Sequence, residues 1–319
     1  MPLAVHADWS IDPHKRWMCI AGHDGLRVEK VGTVATLLHR LKHEADGRPV
    51  ALGVDFPLGL PRAYVQRHAR GDGFPGFLRT LPPTVLDVAD ELHEIGPDRP
   101  FYPRRGRAGM TRASHAFALG LAGASDLSRA CDRKTLDRPA GAPLFWTLGA
   151  NQTGKAAIAA WRDLLIPALH TDPPALWPFD GPFLPLLTGS QIVIAETYPA
   201  EAMRQLGLRM AGSKRRHADR IALAPALRAV IAGLGLRTAP AFEALMTTGF
   251  GADAAGEDRL DCVLGLLCVQ NVLHGRRPDC APPDPWIQRW EGWVLGQAAP
   301  AGSAVRATHN ADILLARDP

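Results

Sequence analysis

Short apolar runs alternate with polar turns at the beginning of the chain, a pattern typical of strands joined by tight connections. It predicts an antiparallel meander of three strands, at residues 3–9, 17–21 and 25–31. Leucines at helical spacing follow Thr33, a residue suited to an N-cap, and predict a helix over residues 34–45. The almost unbroken apolar run at residues 50–56 predicts a fourth strand that is buried on both faces.

The long middle region, residues 58–190, combines helical patterns with loops that contain proline and tryptophan. It predicts helices near residues 62–69, 74–80, 84–94, 112–121, 124–132 and 153–169. No Ser/Gly-rich linker and no charge run separates this region from the rest. We therefore interpret it as a helical insertion, at about residues 62–188, in a single domain.

The strand pattern returns at residues 190–198 as a fifth predicted strand. Helical patterns then follow near residues 199–206, 214–233, 238–248 and 257–274. The sequence thus predicts one domain over residues 1–290 and a C-terminal tail over residues 291–319. The last part of that tail, from residue 298, is expected to be loosely held, with one short strand at residues 311–316.

The element order β-β-β-α-β-α-β-α predicts an α/β fold with a mixed five-stranded sheet. A doubly wound nucleotide-binding sheet begins instead with β-α-β and a glycine-rich first turn. Neither G-x-G-x-x-G nor G-x-x-x-x-G-K-[ST] follows any predicted strand here. We therefore expect no nucleotide cofactor.

Composition narrows the class of protein only moderately. The chain has 319 residues, of which 46% are hydrophobic and 21% charged, as in an ordinary globular protein. No run of ~18 apolar residues and no signal-peptide pattern is present, so we expect a cytoplasmic protein without a membrane partner. A net charge of +4 permits a nucleic-acid partner without requiring one. The five cysteines form no C-x-x-C pair, which argues against a zinc knuckle or a redox motif.

Acidic residues recur at the ends of the apolar elements. Asp8, Asp55 and Glu196 fall at the ends of the first, fourth and fifth predicted strands, and Asp258 and Asp261 open the last apolar helix. Carboxylates beside a hydrophobic sheet are unfavourable unless they are paired or bound to metal. Each acid also has a purely structural interpretation, as a turn former or a helix cap. Their repetition favours a common site, and we expect them to meet at a divalent metal ion.

Three segments that carry these acids resemble a known family. They read GVDFPLGLP at 53–61, AETYPAE at 195–201 and DRLDCVL at 258–264. In this order, over roughly residues 3–274, they resemble the predicted nucleases of the ribonuclease H-like fold catalogued as domain of unknown function number 429. The resemblance implies a ribonuclease H-like sheet and a nuclease activity.

The resemblance also implies a metal site, because acids of the first strand, the fourth strand and a late helix bind two divalent metals in this fold. Asp8, Asp55 and one of Asp258 and Asp261 match those positions. Asp261 is favoured over Asp258 since it lies directly against the apolar face, and Glu196 is expected as an additional ligand or a supporting base. Hard oxygen ligands select Mg²⁺ or Mn²⁺, which suits phosphodiester hydrolysis by metal-activated water.

Two basic clusters are candidates for contacts with substrate phosphates. One contains Arg104 and Arg105, together with Arg107 and Arg112. A solvated surface is the alternative interpretation of this cluster.

The second basic cluster contains Lys214 and Arg215 after Ser213, a natural N-cap for the predicted helix that follows. A solvated surface is the alternative here as well. Lys214 is the preferred phosphate contact, because the resembled family also carries a lysine after its E-T-Y-P element. The polar segment 151–155 (NQTGK) is a candidate substrate loop that lacks the glycine spacing of a phosphate-binding loop.

The sequence therefore predicts a metal-dependent nuclease or phosphodiesterase acting on nucleic acid. One alternative is a non-catalytic module that binds nucleic acid or protein on the same fold. Another is an actin-like ATPase or sugar kinase, which shares the β-β-β-α-β beginning but requires glycine-rich phosphate loops and a duplicated half.

Overall fold

The computed structural model describes residues 1–106, 109–149 and 153–300. The meander predicted at the beginning of the chain is present as strands β1 (Leu3–Asp8), β2 (Trp17–Gly22) and β3 (Gly25–Lys30). β2 pairs antiparallel with both of its neighbours. The β1–β2 connection contains a 3₁₀ turn that the Asp12 side chain caps by accepting from the His14 N–H.

The rest of the sheet is parallel. Helix α1 (Leu37–Ala45) leads to β4 (Val50–Val54), which lies parallel to β1 and to the later strand β6 (Ile192–Glu196). Two residues, Ala175–Leu176, form β5 at the edge, so the mixed sheet has six strands in the order β3-β2-β1-β4-β6-β5. The five predicted strands are therefore present, and the sixth was too short to be recognised by its pattern.

Between β4 and β6 the chain is mainly helical, as predicted. Its helices are α2 (Arg62–His68), α3 (Phe74–Thr80), α4 (Arg112–Ala118), α5 (Thr153–Ala160), α6 (Ile166–Thr171) and α7 (Phe183–Gly189). A π-helical turn, Trp161–Leu165, joins α5 to α6. Helix α7 was not among the predicted helices.

Two of the predicted helices are wrong in the insertion. Residues 84–94 contain only the 3₁₀ turns Pro83–Leu86 and Leu92–Glu94, and residues 124–132 likewise contain only 3₁₀ turns. In the first segment the Glu94 carboxylate accepts from the backbone N–H groups of Asp90 and Glu91. Such local side-chain bonds compete with a continuous helix.

Four helices follow β6: α8 (Pro199–Gln205), α9 (His217–Gly233), α10 (Pro240–Thr247) and α11 (Gly256–Leu273). The predicted N-caps are wrong for two helices. Helix α9 begins three residues later than expected and has Arg216, not Ser213, at its N-cap, and Thr33 makes no side-chain cap before the 3₁₀ turn that precedes α1. Within the described ranges of the chain, no helix is long and apolar enough to cross a bilayer.

The sheet is covered on both faces. Val5, Leu52 and Ile194 point towards the helical insertion, whereas Ala51 and Val193 belong to the core on the side of α11. Helix α11 packs directly against β1, β2 and β4. It is buried along most of its length, which explains why its sequence is apolar on nearly every side.

Residues 293–295, which were predicted to belong to the C-terminal tail, are part of the core. Trp293, Val294 and Leu295 are almost completely buried, and the Leu295 N–H donates to the Glu196 carbonyl at 2.8 Å. The predicted boundary is therefore wrong, because these apolar residues complete the core beside β6. The expected short strand at residues 311–316 lies outside the described residues.

Candidate active site

Asp8 and Asp55 meet because their strands are parallel neighbours. The β1–β4 register pairs Ala7 with Val54, so that the next residue of each strand is one of the two acids. Asp8 and Asp55 are hydrogen-bonded to each other, and the Trp9 N–H donates to Asp55 Oδ1 at 2.7 Å. The carboxyl ends of β1 and β4 thus hold a pair of carboxyl groups at one edge of the sheet.

Helix α11 brings two more acids to this edge. Asp258 and Asp261 lie one turn apart in its N-terminal part, and both line the same cleft as Asp8 and Asp55. Residues three apart share a face of a helix, as the sequence predicted. The Asp261 side chain is 14% exposed, so the cleft holds it close to the apolar interior while leaving its carboxylate accessible.

Burial raises the pKa values of all four acids, and nearby carboxylates add to the effect. Burial raises the pKa of Asp8 well above its ordinary value, and the nearby carboxylates of Asp55, Asp261 and Asp258 raise it further. Burial raises the pKa of Asp55 to about 7, although its hydrogen bonds with Asp8 and the Trp9 N–H act in the opposite direction. Burial and the charges of Asp261 and Glu257 raise the pKa of Asp258 to about 6. The site therefore carries unfavourable negative charge that a cation would relieve.

Lys214 partly offsets this charge. Its Nζ donates to both carboxylate oxygens of Asp261, each at 2.6 Å. Burial alone would lower the pKa of Lys214, but the carboxylates of Asp261, Glu257 and Asp8 raise it above its usual value. Lys214 is therefore protonated in the cleft and forms an ion pair with one of the four acids.

The cleft has a volume of about 360 Å³, and both charged and apolar residues line it. Its charged lining residues are Asp8, Asp55, Asp258, Asp261, Glu257, Lys15, Lys155, Lys214 and Arg215. Arg215 Nε lies 3.7 Å from Glu257 at the rim. Carboxylates and cations thus face one space, in which an anionic ligand can contact basic side chains while a metal ion contacts acidic ones.

The prediction that Glu196 joins this site is wrong. Its register partner is Val54, and it is fully buried on the insertion side of the sheet. Its carboxylate accepts from Arg129 Nη1 and Nη2, both at 2.6 Å, and from the Leu58 N–H at 2.7 Å. Asp132 binds the same guanidinium. Glu196 is therefore one part of a buried ion-pair cluster and is not available as a ligand in the cleft.

The predicted basic residues have different locations. Lys214 and Arg215 line the cleft, as expected for phosphate contacts. Arg104 and Arg105 do not, and Arg104 instead donates to the Val88 carbonyl and lies 3.5 Å from Asp90. Their proposed contact with substrate at this site is therefore not supported by the structure.

Arg112, of the same basic cluster, does not line the cleft either, and its guanidinium lies over the Trp146 ring. Arg107 lies outside the described residues, as do Asn151 and Gln152 of the candidate substrate loop. From that loop, Thr153 and Lys155 at the beginning of α5 do line the cleft.

Sequence reasoning missed other charged groups near the acids. Lys15 and Glu257 line the cleft, but Lys15 resembles an ordinary turn residue and Glu257 an ordinary first-turn acid. Arg129, the partner of Glu196, stands in the segment 124–132, which was predicted as a helix and gave no sign of this contact. The side of the sheet that Glu196 faces could have been found from the alternation along β6, because Ile192, Ile194 and Glu196 share one face of the strand.

The donor chemistry fits a hard divalent cation, since carboxylate oxygens are the ligands that Mg²⁺ and Mn²⁺ prefer. As the side chains stand, however, no three His, Cys, Asp or Glu residues in the described part of the chain are arranged to hold a metal ion. In this arrangement Asp8 and Asp55 bond to each other, and Asp261 is paired with Lys214. Binding a metal would require these contacts to exchange.

Comparisons with models of protein families, with curated proteins and with solved structures found no match to this chain.

Proposed function

We propose that the cleft is the active site of a divalent-metal-dependent nuclease or phosphodiesterase. The observation that carries the proposal is the meeting of Asp8, Asp55, Asp258 and Asp261 in one cleft with raised pKa values. Four carboxyl groups held this close destabilise one another, so their retention favours a role that requires a bound cation.

The topology supports the same proposal. Three antiparallel strands followed by two long parallel strands, in the order β3-β2-β1-β4-β6, agree with a ribonuclease H-like sheet. The resemblance implies that acids at the ends of the first and fourth strands and on a late helix hold the metals, and Asp8, Asp55 and Asp261 match these positions. The short β5 and the long insertion are additions to this arrangement.

In the proposed enzyme, Asp8, Asp55 and Asp261 hold Mg²⁺ or Mn²⁺, with Asp258 as a fourth acidic side chain beside them. When bound, such ions activate water and stabilise charge on the reacting phosphate. The protein's own contribution is to hold the carboxylates in place through the β1–β4 register and the rigid, buried α11. Cleavage by the wild-type protein therefore requires these carboxylates to be ionised when the cation is bound.

The basic side chains of the cleft support a nucleic-acid substrate. Lys15, Lys155, Lys214 and Arg215 line the same space as the acids. Lysine and arginine at such sites neutralise backbone phosphates and make binding weaker at high salt. We infer that these four basic side chains bind backbone phosphates of the substrate, with Lys214 at the phosphate beside Asp261.

The experiment is a cleavage assay with Mg²⁺ or Mn²⁺ on single-stranded and duplex DNA, RNA, RNA–DNA hybrids and branched DNA. Asp55→Asn and Asp8→Asn are expected to remove cleavage of the substrate that the wild-type protein cuts. Asp24→Asn is the matched control, since Asp24 is exposed at a turn away from the cleft. Equal activity of the wild-type protein and Asp55→Asn on every substrate would refute the proposal, whereas metal binding without cleavage would favour a non-catalytic binding module.

A further inference from the structure

The Lys214–Asp261 ion pair occupies both oxygens of a carboxylate that the proposed function assigns to metal. Nζ lies 2.6 Å from Oδ1 and 2.6 Å from Oδ2, so no oxygen of Asp261 is free of this ammonium. Metal and lysine therefore compete for the same acceptor. Lys155 lines the same cleft. Among the described residues, it forms no ion pair with Asp8, Asp55, Asp258 or Asp261.

The backbone of Lys214 is held firmly, whereas its side chain is partly exposed to the cleft. Arg220, itself 2% exposed, donates to the Lys214 carbonyl at 2.6 Å. The same guanidinium binds the carbonyls of Gly249 at 2.8 Å and Gly251 at 2.7 Å, in the turn that leads towards α11. The Lys214 side chain is 25% exposed and lines the cleft, so there is open space beside its ammonium.

The electrostatics favour such an exchange. Without a metal ion, the Lys214 ammonium offsets repulsion among the acids of the cleft. A divalent cation on Asp261 would repel the ammonium and replace its favourable interaction. The ammonium would then face the same polar cleft, where the proposed substrate brings its phosphate.

We propose that Lys214 is an exchangeable counter-ion that binds Asp261 in the metal-free protein and is released by the metal to bind a substrate phosphate. This inference rests on the proposed function, since it requires a metal ion on Asp261. It makes metal binding and phosphate binding favour each other, because each removes a contact that opposes the other. Lys214 thereby limits binding of a nucleic acid to the metal-loaded state.

The first test is calorimetric titration of Mn²⁺ into the full-length wild-type protein, Lys214→Met and Lys155→Met. Removing either lysine removes one positive charge from the cleft, but only Lys214 competes directly for Asp261. We expect Lys214→Met to bind Mn²⁺ about five- to tenfold more tightly than the wild-type protein. Lys155→Met should change the affinity less than about twofold, as expected for a screened charge without a direct contact.

Lys214→Arg covers the case in which Lys214→Met fails to fold, since it retains the charge and can pair with Asp261. It should bind Mn²⁺ no more tightly than the wild-type protein, because the guanidinium fork matches a carboxylate well. Equal Mn²⁺ affinities for Lys214→Met and Lys155→Met, or tighter binding by Lys214→Arg than by the wild-type protein, would overturn the exchange.

A second readout follows the ammonium directly by NMR of the ¹⁵N-labelled lysine side chains, with diamagnetic Mg²⁺. The Nζ signal assigned through Lys214→Arg is expected to shift on Mg²⁺ addition and to move towards its position in Asp261→Asn. An unchanged signal at saturating Mg²⁺ would refute release of the lysine. If exchange occurs and no nucleic acid is cleaved, only the nuclease proposal fails, whereas cleavage without exchange refutes only the role of Lys214.

Discussion

Asp55 and Glu196 stand at the ends of adjacent parallel strands, one register position apart, and face opposite sides of the sheet. Glu196 is paired with Val54, so the position beside Asp55 belongs to Thr197. A Cβ added to Gly53 would contact His6 of β1, Thr197 directly after β6 and Val269 of α11, which shows that Gly53 faces this helix. The alternation of β-strands then directs Asp55 to the cleft and Glu196 to the buried cluster around Arg129.

The first prediction separates these two roles. Glu196→Gln removes one of the two carboxylates that balance the buried Arg129 guanidinium, the other being Asp132, and places an amide donor beside it. Breaking one partner of a buried ion pair costs about 3–5 kcal/mol of unfolding free energy. We expect a loss of this size in urea unfolding, with the Mn²⁺ affinity of the folded protein unchanged within about twofold.

Glu29→Gln is the matched control, because Glu29 forms an exposed ion pair with Arg27. Its expected effect is below about 1 kcal/mol. Unchanged stability of Glu196→Gln together with lost Mn²⁺ binding would show that Glu196 is a ligand after all.

The second prediction concerns Asp55 in the absence of metal. Asp55→Asn removes a carboxylate that is destabilised by burial and by Asp261, while its amide oxygen can still accept from the Trp9 N–H. The variant should be more stable than the wild-type protein at pH 7.5 in EDTA, by about 1–3 kcal/mol. Thermal and urea unfolding measure this difference, and saturating Mn²⁺ should stabilise the variant less than the wild-type protein.

Asp24→Asn provides the control for this substitution, since the Asp24 side chain is 98% exposed. It should leave stability unchanged with and without Mn²⁺. A less stable Asp55→Asn in EDTA would show that the carboxylate is favourable in the metal-free fold, which contradicts the repulsion described above.

The third prediction is the pH dependence that follows from the same groups. The pKa of Asp55 is raised from 3.8 to about 7 and that of Asp258 from 3.8 to about 6, so the folded protein binds these protons more tightly than the unfolded chain. Their contribution to stability is therefore most favourable at low pH and falls as the pH rises from about 4 to about 7. The stability difference between Asp55→Asn and the wild-type protein in EDTA should grow over this window. A difference that stays constant from pH 4.5 to pH 8 would contradict the assignment.

The order of the elements along the chain and the convergence of Asp8, Asp55, Asp258 and Asp261 could be predicted from the sequence, because they depend on apolar runs and on residue spacing. Apolar runs mark β1 and β4, and acids directly after parallel neighbours must lie at the same edge of a sheet. Likewise, a spacing of three residues places Asp258 and Asp261 on one helix face.

The side of the sheet that Glu196 faces was also encoded by alternation, but a strand buried on both faces hides that signal. The partners of the acids were not predictable, since Arg129 and Lys214 reach Glu196 and Asp261 across 67 and 47 residues of chain. Such contacts depend on tertiary packing rather than on local pattern. The same holds for residues 84–94, where Glu94 bonds to nearby backbone and no helix forms.

The last prediction concerns the close approach of α11 to β1 at Gly265. Alanine inside a helix is usually about 1 kcal/mol more favourable than glycine. Here an added Cβ would lie 2.2 Å from His6 Cδ2 and Nε2 and 2.4 Å from Cε1, and the His6 ring is fully buried. Gly265→Ala must therefore push α11 away from the sheet, with an expected loss of about 1–3 kcal/mol. Since Asp261 lies one turn earlier on this helix, Mn²⁺ affinity should fall as well.

Gly233→Ala in α9 is the matched helical control, because the nearest atom to its added Cβ is Arg276 Nη1 at 3.8 Å. This variant should leave the free energy of unfolding measured in urea unchanged or raise it, whereas Gly265→Ala should lower it. His6→Ala combined with Gly265→Ala tests the cause, since removing the ring makes room for the methyl group. The double variant should lose less stability than the sum of the two single changes, and strict additivity would show that the His6 ring is not what requires glycine at this position.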